Sequence, residues 1–463
     1  MSTAEASRSK RRFDTVLIAN RGEVAERVKR ACLALDVRPV AIASEADAAE
    51  AAAFAEGGPI CIGPATASKS YLNQAAVMLA ARVSGAGAIH PGYGFLSENA
   101  DFAEALERSG LIFIGPPASA IRVMGDKIAA KRAMLDAGVP CVPGPGEPLP
   151  DDVVLIRRMA DEIGYPVIIK ASGGGGGKGM RVVRASDEIA DAVSLTREEA
   201  RRAFGKPELY MEKFLEKPRH VEFQVLCDEH GNAVWVGYRD CSLQRRHQKV
   251  VEEAPAPGID PALAAATGAR CAEACRQIGY RGVGTFEFLY ENGAFFFIEM
   301  NTRLQVEHPV TEVTAGVDLV VHQLQVAQGE AINPAAFDRP PSGHAFECRI
   351  NAEDPDTFAA SPGRITLVRF PTAEGVRIDT HIHDGYRVPA YYDSLIAKLI
   401  VHAPTRAQAI ELMRKALAET RIEGIATNLP LHMKIFNDPD FIRGAVDIHH
   451  LEKRLKEGFS ADA

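Results

Sequence analysis

Polar side chains occupy alternate positions along one short run of this chain, FIEMNTRLQVEHP at 297–309. In an extended segment, residues two apart project from the same side. One side of the run then carries carboxylates, amides and a guanidinium, from Glu299, Asn301, Arg303, Gln305 and Glu307. The opposite side carries Met300, Leu304 and Val306.

These residue types indicate a reaction surface. Carboxylate and amide oxygens suit Mg²⁺. Arginine suits a planar oxyanion such as carboxylate, bicarbonate or phosphate, and the last glutamate is a candidate base. The alternative is an edge strand with a solvated polar face.

A strong turn signal precedes this run. Apolar stretches on either side of Glu291-Asn292-Gly293 predict a β-hairpin. A two-residue Asn-Gly turn would send Glu287 and Glu299 to opposite faces, whereas a three-residue loop would place both on one face. We predict the three-residue loop, because only that register lets both carboxylates share divalent ions.

A glycine-rich segment follows another predicted strand. The strand Tyr165–Lys170 leads into Gly173–Gly177, and Met180–Val183 is a second apolar run. Glycines let backbone N–H groups approach a phosphate closely. The segment is not a Walker loop, because Gly179 stands where Ser or Thr must follow the lysine. We predict a hairpin whose glycine tip closes over a polyphosphate, rather than a flexible linker, with Lys170 as a phosphate-binding charge.

Two further segments place charges along predicted strands. In CSLQRRHQK, the side chains of Arg245, His247 and Lys249 share a face if the segment is extended. We interpret this segment as anion-handling, with a nuclear-localisation or nucleic-acid patch as the alternative. In HAFECRI, apolar residues alternate with Glu347 and Arg349. Arg349 is either functional or an ordinary surface residue.

Composition sets the broad class. A chain of 463 residues, 46% apolar and 25% charged, predicts a globular protein of several domains. Its net charge of −8 argues against a general nucleic-acid binder, and no apolar run approaches the ~20 residues that span a bilayer. Eight scattered cysteines without Cys-x-x-Cys favour a reducing, cytoplasmic location. The basic start of the chain is expected to be a disordered tail, not a targeting segment.

Apolar runs with intervening helical patterns predict the architecture. A strand at 15–19, a helix to about residue 35 and a strand at 39–43 form a β-α-β opening, typical of a doubly wound α/β domain. Further strands are predicted at 86–90 and 111–114. The Pro/Gly-rich stretch 138–146 predicts a hinge.

The chain resembles biotin carboxylases, the ATP-grasp subunit of bacterial acetyl-CoA carboxylase, along about residues 13–456. The resemblance rests on long motifs: IANRGE at 18–23, HPGYGFLSEN at 90–99, MGDK at 124–127, YPVIIKASGGGGGKGM at 165–180, RDCSLQRRHQKVVEEAPAP at 239–257 and FIEMNTRLQVEHPVTE at 297–312. Lys178 is the variant often seen in larger biotin-dependent carboxylases, where bacterial subunits frequently carry arginine.

The resemblance implies an α/β fold that is α+β in the centre, with an ATP-grasp domain between two biotin carboxylase domains. The expected boundaries are a tail at 1–12, an N-terminal domain at 13–125, an ATP-grasp domain at 126–330 with a glycine-rich lid at about 142–215, a C-terminal mixed α/β domain at 331–456 and a tail at 457–463.

The resemblance also implies residue roles. ATP would be bound by Lys127, Lys170, Gly176, Gly177, Glu212, Lys213, Phe214, Leu215, His220, Gln244, His247, Glu287 and Glu299. Two Mg²⁺ or Mn²⁺ ions would be held by Glu287, Glu299 and Asn301. Bicarbonate would lie against Lys249, Arg303, Gln305, the Val306 backbone and the base Glu307. Arg349 would face the biotin ureido group, so that the catalytic set is Arg303, Glu307, Arg349 and Lys249.

The implied reaction is ATP-dependent carboxylation of biotin through carboxyphosphate, the first half-reaction of acetyl-CoA carboxylase. A propionyl-CoA, methylcrotonyl-CoA or pyruvate carboxylase system is the alternative. Another ATP-grasp ligase and an inactive nucleotide-binding regulator are more remote ones. The chain lacks an Ala-Met-Lys-Met biotinylation motif, so biotin is expected on a separate carrier protein, with carboxyltransferase subunits as further partners. A homodimer with an interface around Arg27 is expected, and neither nucleic acid nor membrane is an expected partner.

Overall fold

The N-terminal region is built on a parallel five-stranded sheet. The computed structural model describes residues 12–51, 58–172, 179–205 and 207–459. The sheet order is β3-β2-β1-β4-β5, with strands β1 Thr15–Ile18, β2 Arg38–Ala43, β3 Ile60–Cys61, β4 Ala88–His90 and β5 Ile112–Phe113. Its helices are α1 Gly22–Ala34, α2 Ala48–Ala51, α3 Gln74–Ser84, α4 Ala100–Arg108 and α5 Ala118–Gly125.

This sheet is buried on both faces, which explains why its strands are short apolar runs. The strand order reverses beside β1, whose neighbours are β2 and β4. At that switch point the loops that follow β1 and β4 are joined, because Asn20 Nδ2 donates to the carbonyl oxygens of Pro91 and Tyr93, both at 2.7 Å. The predicted doubly wound opening is therefore confirmed, and crevices commonly form at such positions.

A small sheet of order β7-β6-β8 carries the glycine hairpin. The predicted hairpin is confirmed, since Lys170 pairs with Met180 across β6 and β7; its tip, residues 173–178 with Gly176 and Gly177, lies outside the described residues. Helices α7 and α8 contribute to the apolar core of this part. The elements here are α6 Lys127–Asp136, α7 Val153–Ile163, β6 Val167–Ala171, β7 Met180–Val183, α8 Ile189–Phe204 and β8 Leu209–Lys213.

An eight-stranded antiparallel sheet joins the centre of the chain to the C-terminal region. Its order is β13-β12-β9-β10-β11-β14-β19-β17. The central elements are β9 Arg219–Cys227, β10 Ala233–Arg245, β11 Gln248–Ala254, α9 Pro261–Gln277, β12 Gly282–Glu291, β13 Ala294–Asn301, α10 His308–Ala315 and α11 Leu319–Ala327. The pairing of β11 with β14 makes the two regions one continuous surface.

The C-terminal region completes this sheet and covers it with helices. Its elements are β14 His344–Asn351, β15 Gly363–Arg364, β16 Leu367–Arg369, β17 Val376–Thr380, β18 Arg387–Val388, β19 Leu395–Ala403, α12 Arg406–Glu419, β20 Arg421–Glu423, α13 Leu429–Phe436, α14 Pro439–Arg443 and α15 His450–Glu457. Phe346, Cys348 and Ile350 of β14 enter the core, as alternation predicted.

The hairpin of β12 and β13 corrects one prediction. Its turn has two residues, Asn292 and Gly293, both with positive φ (53° and 78°), and the three-residue loop is wrong. Ile298 forms a β-bulge, so the register steps by one residue and Glu287 still pairs with Glu299. The turn sends the two carboxylates toward opposite faces, and the bulge returns them to the same face.

Substituting Phe346 tests the core beneath β14. Phe346 is fully buried, and its ring centroid lies 5.3 Å from that of Phe436. We expect Phe346→Ala to lower the free energy of unfolding by about 3–5 kcal/mol, because it leaves a cavity. Urea unfolding measures this, with Val83→Ala as the exposed control, expected within about 0.5 kcal/mol of the parent. Equal effects of the two variants would contradict the assignment.

Candidate active site

One cavity of about 830 Å³ lies where the three regions meet. It brings together seventeen residues predicted from the sequence: Lys127, Lys170, Lys213, Phe214, Leu215, His220, Gln244, His247, Lys249, Glu287, Glu299, Asn301, Arg303, Gln305, Val306, Glu307 and Arg349. Both the N-terminal switch-point loops and strand β14 contribute to its wall. The volume is that of a small-molecule site.

Glu212 is the described candidate whose carboxylate is not in this wall. It is buried and accepts hydrogen bonds from Lys170 Nζ at 2.7 Å and Lys131 Nζ at 3.0 Å. Burial opposes ionisation of Glu212, but the two lysines outweigh it and lower the pKa of the carboxyl. Its carboxylate therefore holds Lys170 in place at the edge of the cavity.

Three buried carboxylates share one ammonium at the floor of the cavity. Lys249 Nζ donates to Glu287 Oε1 at 2.9 Å, to Glu307 Oε1 at 2.8 Å and to Glu222. Burial alone would lower the pKa of Lys249, but these carboxylates raise it well above its ordinary value. His220 Nε2 lies 3.2 Å from Glu222 and 3.1 Å from Glu287. Although burial opposes it, these acids raise the pKa of His220 to about 9.

The donor set for a divalent ion lies beside this cluster. Glu287 and Glu299 face each other across the hairpin, and Asn301 follows two residues after Glu299. Asn301 Nδ2 donates to Glu287 Oε1 at 2.7 Å, and Lys127 Nζ lies 3.2 Å from Glu299 Oε2. Carboxylate and amide oxygens that line a cavity fit Mg²⁺ or Mn²⁺.

The alternating run reaches the cavity by a different route than predicted. Strand β13 ends at Asn301, and the chain bends before helix α10 begins at His308. The five polar residues still line one cavity, and Val306 lines it as well.

Neighbouring groups orient the polar side chains of the run. Arg303 Nε donates to Glu98 Oε2 at 2.9 Å. Gln305 Oε1 accepts from Arg239 Nη2 at 2.5 Å.

Glu307 is held between two cations from different regions. Its Oε1 accepts from Lys249, and its Oε2 accepts from Arg349 Nη2 at 2.9 Å. Burial would raise the pKa of Glu307, but Lys249 and Arg349 lower it from 4.5 to about 2. The side chain is thus an ionised, enclosed carboxylate with a proton-accepting role open to it.

The predicted extended face of the basic segment is wrong. Arg246 and His247 form a turn with positive φ, so Arg245, His247 and Lys249 do not share an extended face. Arg245 instead stacks on Phe358, with 3.6 Å from its Cζ to the ring centroid.

Arg27 does not face outward. It is buried and pairs with Glu312 at 2.7 Å and Asp318 at 2.5 Å within the chain. Its guanidinium therefore supports the packing of α1 against α10 and α11. A homodimer interface around Arg27 stays a prediction.

The sequence analysis did not identify several buried or partly buried residues whose hydrogen bonds orient the side chains and backbone of the site. Glu222 and Arg239 are fully buried, and Arg239 Nε donates to Glu222 Oε2 at 2.8 Å. Both lie on strands that alternate apolar and polar residues, so the period-two pattern contained the signal. Glu98 lies within one of the long motifs. Lys398, whose Nζ donates to the Val306 carbonyl at 3.0 Å, had no such signal.

Comparisons with known proteins identify the family. Three family models match consecutive parts of the chain: the biotin carboxylase N-terminal domain at 12–121, the carbamoyl-phosphate synthase L chain ATP-binding domain at 126–334 and the biotin carboxylase C-terminal domain at 347–453. A biotin carboxylase of Haemophilus influenzae is 58% identical, covering 96% of this chain and 99% of that protein. The chain belongs to the biotin carboxylase family.

Solved structures agree with this assignment. The biotin carboxylase–beta-gamma-ATP complex of Campylobacter jejuni is 44% identical with a TM-score of 0.91, covering 95% of this chain and 99% of that one. The biotin carboxylase domain dimer of Hydrogenobacter thermophilus 2-oxoglutarate carboxylase, in complex with MgADP, ADP and bicarbonate, is 44% identical with a TM-score of 0.90, covering 97% and 99%. As a biotin carboxylase, the chain is an ATP-dependent ligase that carboxylates biotin.

A subunit of a pyruvate carboxylase also matches. That protein, from Methanothermobacter thermautotrophicus, is 48% identical and is covered over 91% of its length by 97% of this chain. Family membership therefore leaves the final acceptor of the carboxyl group open. In the described part of the chain, no helix combines the length and apolar character needed to cross a bilayer.

The depressed pKa of Glu307 predicts a pH-dependent stability. The ionised group contributes stability that is fully present above pH 4.5 and is lost as the pH falls toward about 2. We expect Glu307→Gln to be less stable than the parent at neutral pH, with a difference that shrinks steadily below pH 4.5. Urea unfolding at several pH values measures it. A difference that stays constant across this range would contradict the ion-pair account.

Proposed function

We propose that the cavity carries out the biotin carboxylase reaction with the residue roles that the motifs imply. ATP would lie against Lys127, Lys170 and the segment Lys213–Leu215, with its phosphates toward the hairpin of Glu287 and Glu299. The observation that carries the proposal is the position of Glu307. It lies between Lys249 and Arg349, on the floor of the same cavity as the acidic hairpin.

The first step joins bicarbonate to phosphate. Bicarbonate, held by Arg303, Lys249, Gln305 and the Val306 backbone, would lose its proton to Glu307 and attack the γ-phosphorus of ATP. Carboxyphosphate forms and ADP leaves. Two anions must approach each other in this step, so the cations of the cavity lower its barrier. Mg²⁺ bound by Glu287, Glu299 and Asn301 would neutralise further phosphate charge.

The second step transfers the carboxyl group. Carboxyphosphate releases CO₂, and the phosphate takes the proton from the biotin ureido nitrogen. Arg349 stabilises the negative charge that develops on the ureido oxygen, and the nitrogen then attacks CO₂. Because carboxyphosphate hydrolyses readily, the glycine hairpin would act as a lid that excludes water.

Binding of bicarbonate would allow Glu307 to act as a base although its pKa is low before bicarbonate binds. Lys249 and Arg349 lower the pKa of Glu307 because both contact it. An anion seated between the same cations draws their hydrogen bonds toward itself. The proton affinity of Glu307 then rises at the moment when a proton has to be accepted.

The wider assignment follows the same relatives. We propose that the protein is a cytoplasmic homodimer that carboxylates biotin on a separate carrier protein, and that carboxyltransferase subunits complete an acetyl-CoA carboxylase. The identity to the Haemophilus influenzae biotin carboxylase and the dimeric Hydrogenobacter thermophilus domain support this proposal. A propionyl-CoA, methylcrotonyl-CoA or pyruvate system is the alternative, which the Methanothermobacter thermautotrophicus relative favours. The domain boundaries at about residues 125 and 330 are part of the proposal.

ATP cleavage tests the reaction class. We expect the purified protein to cleave ATP slowly with bicarbonate and Mg²⁺, and faster when free biotin is added, because biotin consumes the activated carboxyl group. Phosphate release, with and without each component, measures this. A rate of ATP cleavage that does not change when biotin is added would contradict the proposal and favour a different carboxylating ligase. No ATP cleavage under any condition would favour an inactive nucleotide-binding protein.

Substitutions at Glu307 and Arg349 test the assigned roles. Glu307→Gln removes the base and Arg349→Ala removes the cation beside the ureido group. We expect each to lower the rate of free-biotin carboxylation about 10²-fold, corresponding to ~3 kcal/mol of lost electrostatic stabilisation. Glu411→Gln is a control with a largely exposed carboxylate. Carboxylation at the parental rate by Arg349→Ala would refute the role of Arg349.

A further inference from the structure

Two carboxyl groups that the proposed reaction does not use lie behind Arg349. Glu252 on β11 and Glu347 on β14 are directly opposite each other in the antiparallel register. Both side chains are fully buried. Cross-strand neighbours approach closely, and like charges at such positions repel each other.

Only one of the four carboxyl oxygens of this pair accepts a hydrogen bond in the part of the chain that the structure describes. Glu252 Oε1 accepts from Arg349 Nε at 2.6 Å. Glu252 Oε2 and both carboxyl oxygens of Glu347 have no hydrogen-bond partner among the residues that the structure describes. A buried ionised carboxylate without donors is costly, whereas a proton on one of the two groups supplies a donor to the other.

The charges around Glu252 and Glu347 also favour a proton on one of the two groups. The acids that face Arg349 are Glu252, Glu347 and Glu307. The cations that act on the pair are Arg349, Lys249 near Glu252 and Lys398 near Glu347. Lys398 Nζ lies 3.0 Å from Glu23 Oε2 and donates to the Val306 carbonyl at 3.0 Å, and no hydrogen bond joins it to Glu347 in the described part of the chain. Burial raises the pKa of Glu347 well above its usual range and that of Glu252 to about 7.

We propose that Glu252 is a positioning residue that holds Arg349 toward the reacting groups, and that Glu252 and Glu347 together carry one shared proton. The inference rests on the proposed function, because it concerns the arginine assigned to the ureido group. Arg349 is anchored through Nε, which directs its Nη2 to Glu307. With one proton on the pair, a single negative charge lies behind Arg349, and the guanidinium keeps positive charge for the biotin enolate.

The shared proton has a direct spectroscopic test. We expect the infrared spectrum of the parent protein at neutral pH to contain a carbonyl band from a protonated carboxyl group that Glu347→Gln lacks. We also expect Glu347→Gln to melt within a few degrees of the parent, since glutamine resembles a protonated glutamate in shape and charge. An identical infrared band in the variant, or its failure to fold, would overturn the shared proton.

Kinetics test the positioning role, with a control from the same strand. Glu253 is the next residue, is buried and accepts from His344 at 2.8 Å and Arg406 at 2.7 Å, away from the cavity. We expect Glu252→Gln to lower kcat for biotin-stimulated ATP cleavage about ten- to a hundredfold, as for a lost hydrogen bond to a charged group, with KM for ATP unchanged. Glu253→Gln should keep the parental ratio of biotin-stimulated to biotin-independent cleavage.

The kinetic outcomes distinguish a failure of the positioning role of Glu252 from a failure of the proposed function. A parental ratio in Glu252→Gln, or an equal loss in both variants, would overturn the positioning role while the proposed function stands. A parent protein whose ATP cleavage ignores biotin would overturn the proposed function itself. The infrared result does not depend on activity and is decided separately.

Discussion

The structure depends on one buried ammonium group. Lys249 contacts Glu222, Glu287 and Glu307, which come from three different elements. Without this cation, the three carboxylates would repel each other in a water-poor cavity floor, where charges interact strongly. The lysine therefore defines where the hairpin, strand β9 and the start of helix α10 come together. It also places the candidate base within reach of the candidate metal ligands.

The continuous eight-stranded sheet brings Arg349 of the C-terminal region into the site. Strand β14 pairs with β11, and this pairing brings Arg349 from the C-terminal region to Glu307 in the centre of the chain. A site built on one hydrogen-bonded surface holds its groups more precisely than a site between loosely joined domains. The strands of the glycine hairpin, by contrast, belong to the small separate sheet.

Local patterns predicted much of this arrangement, and tertiary pairing decided the rest. Alternation placed Glu299 and Asn301 on one face of β13 and Arg349 opposite the core of β14, because period two follows from strand geometry. The strand ends at Asn301, so the positions of Arg303, Gln305 and Glu307 depend on the bend that follows it. The bulge at Ile298 was not predictable from the turn. Strand β13 lies at the edge of the sheet, where an extra residue is tolerated, and Phe297 N–H donates to the Pro140 carbonyl at 2.7 Å. Alternation marks Arg239 as a polar residue on a strand, but its partners Glu222 and Gln305 are distant in sequence and were not predictable from it.

Three of the cations proposed to bind a substrate already have a carboxylate partner. Lys127 lies against Glu299 and Lys170 against Glu212, while Arg303 pairs with Glu98. Binding of ATP and bicarbonate is then an exchange of anionic partners rather than the filling of an unpaired positive site. Such an exchange moves charge without exposing it, which limits the desolvation cost. A carboxylate released by its lysine, as Glu299 would be, becomes free to take a metal ion, so that nucleotide and metal favour each other's binding.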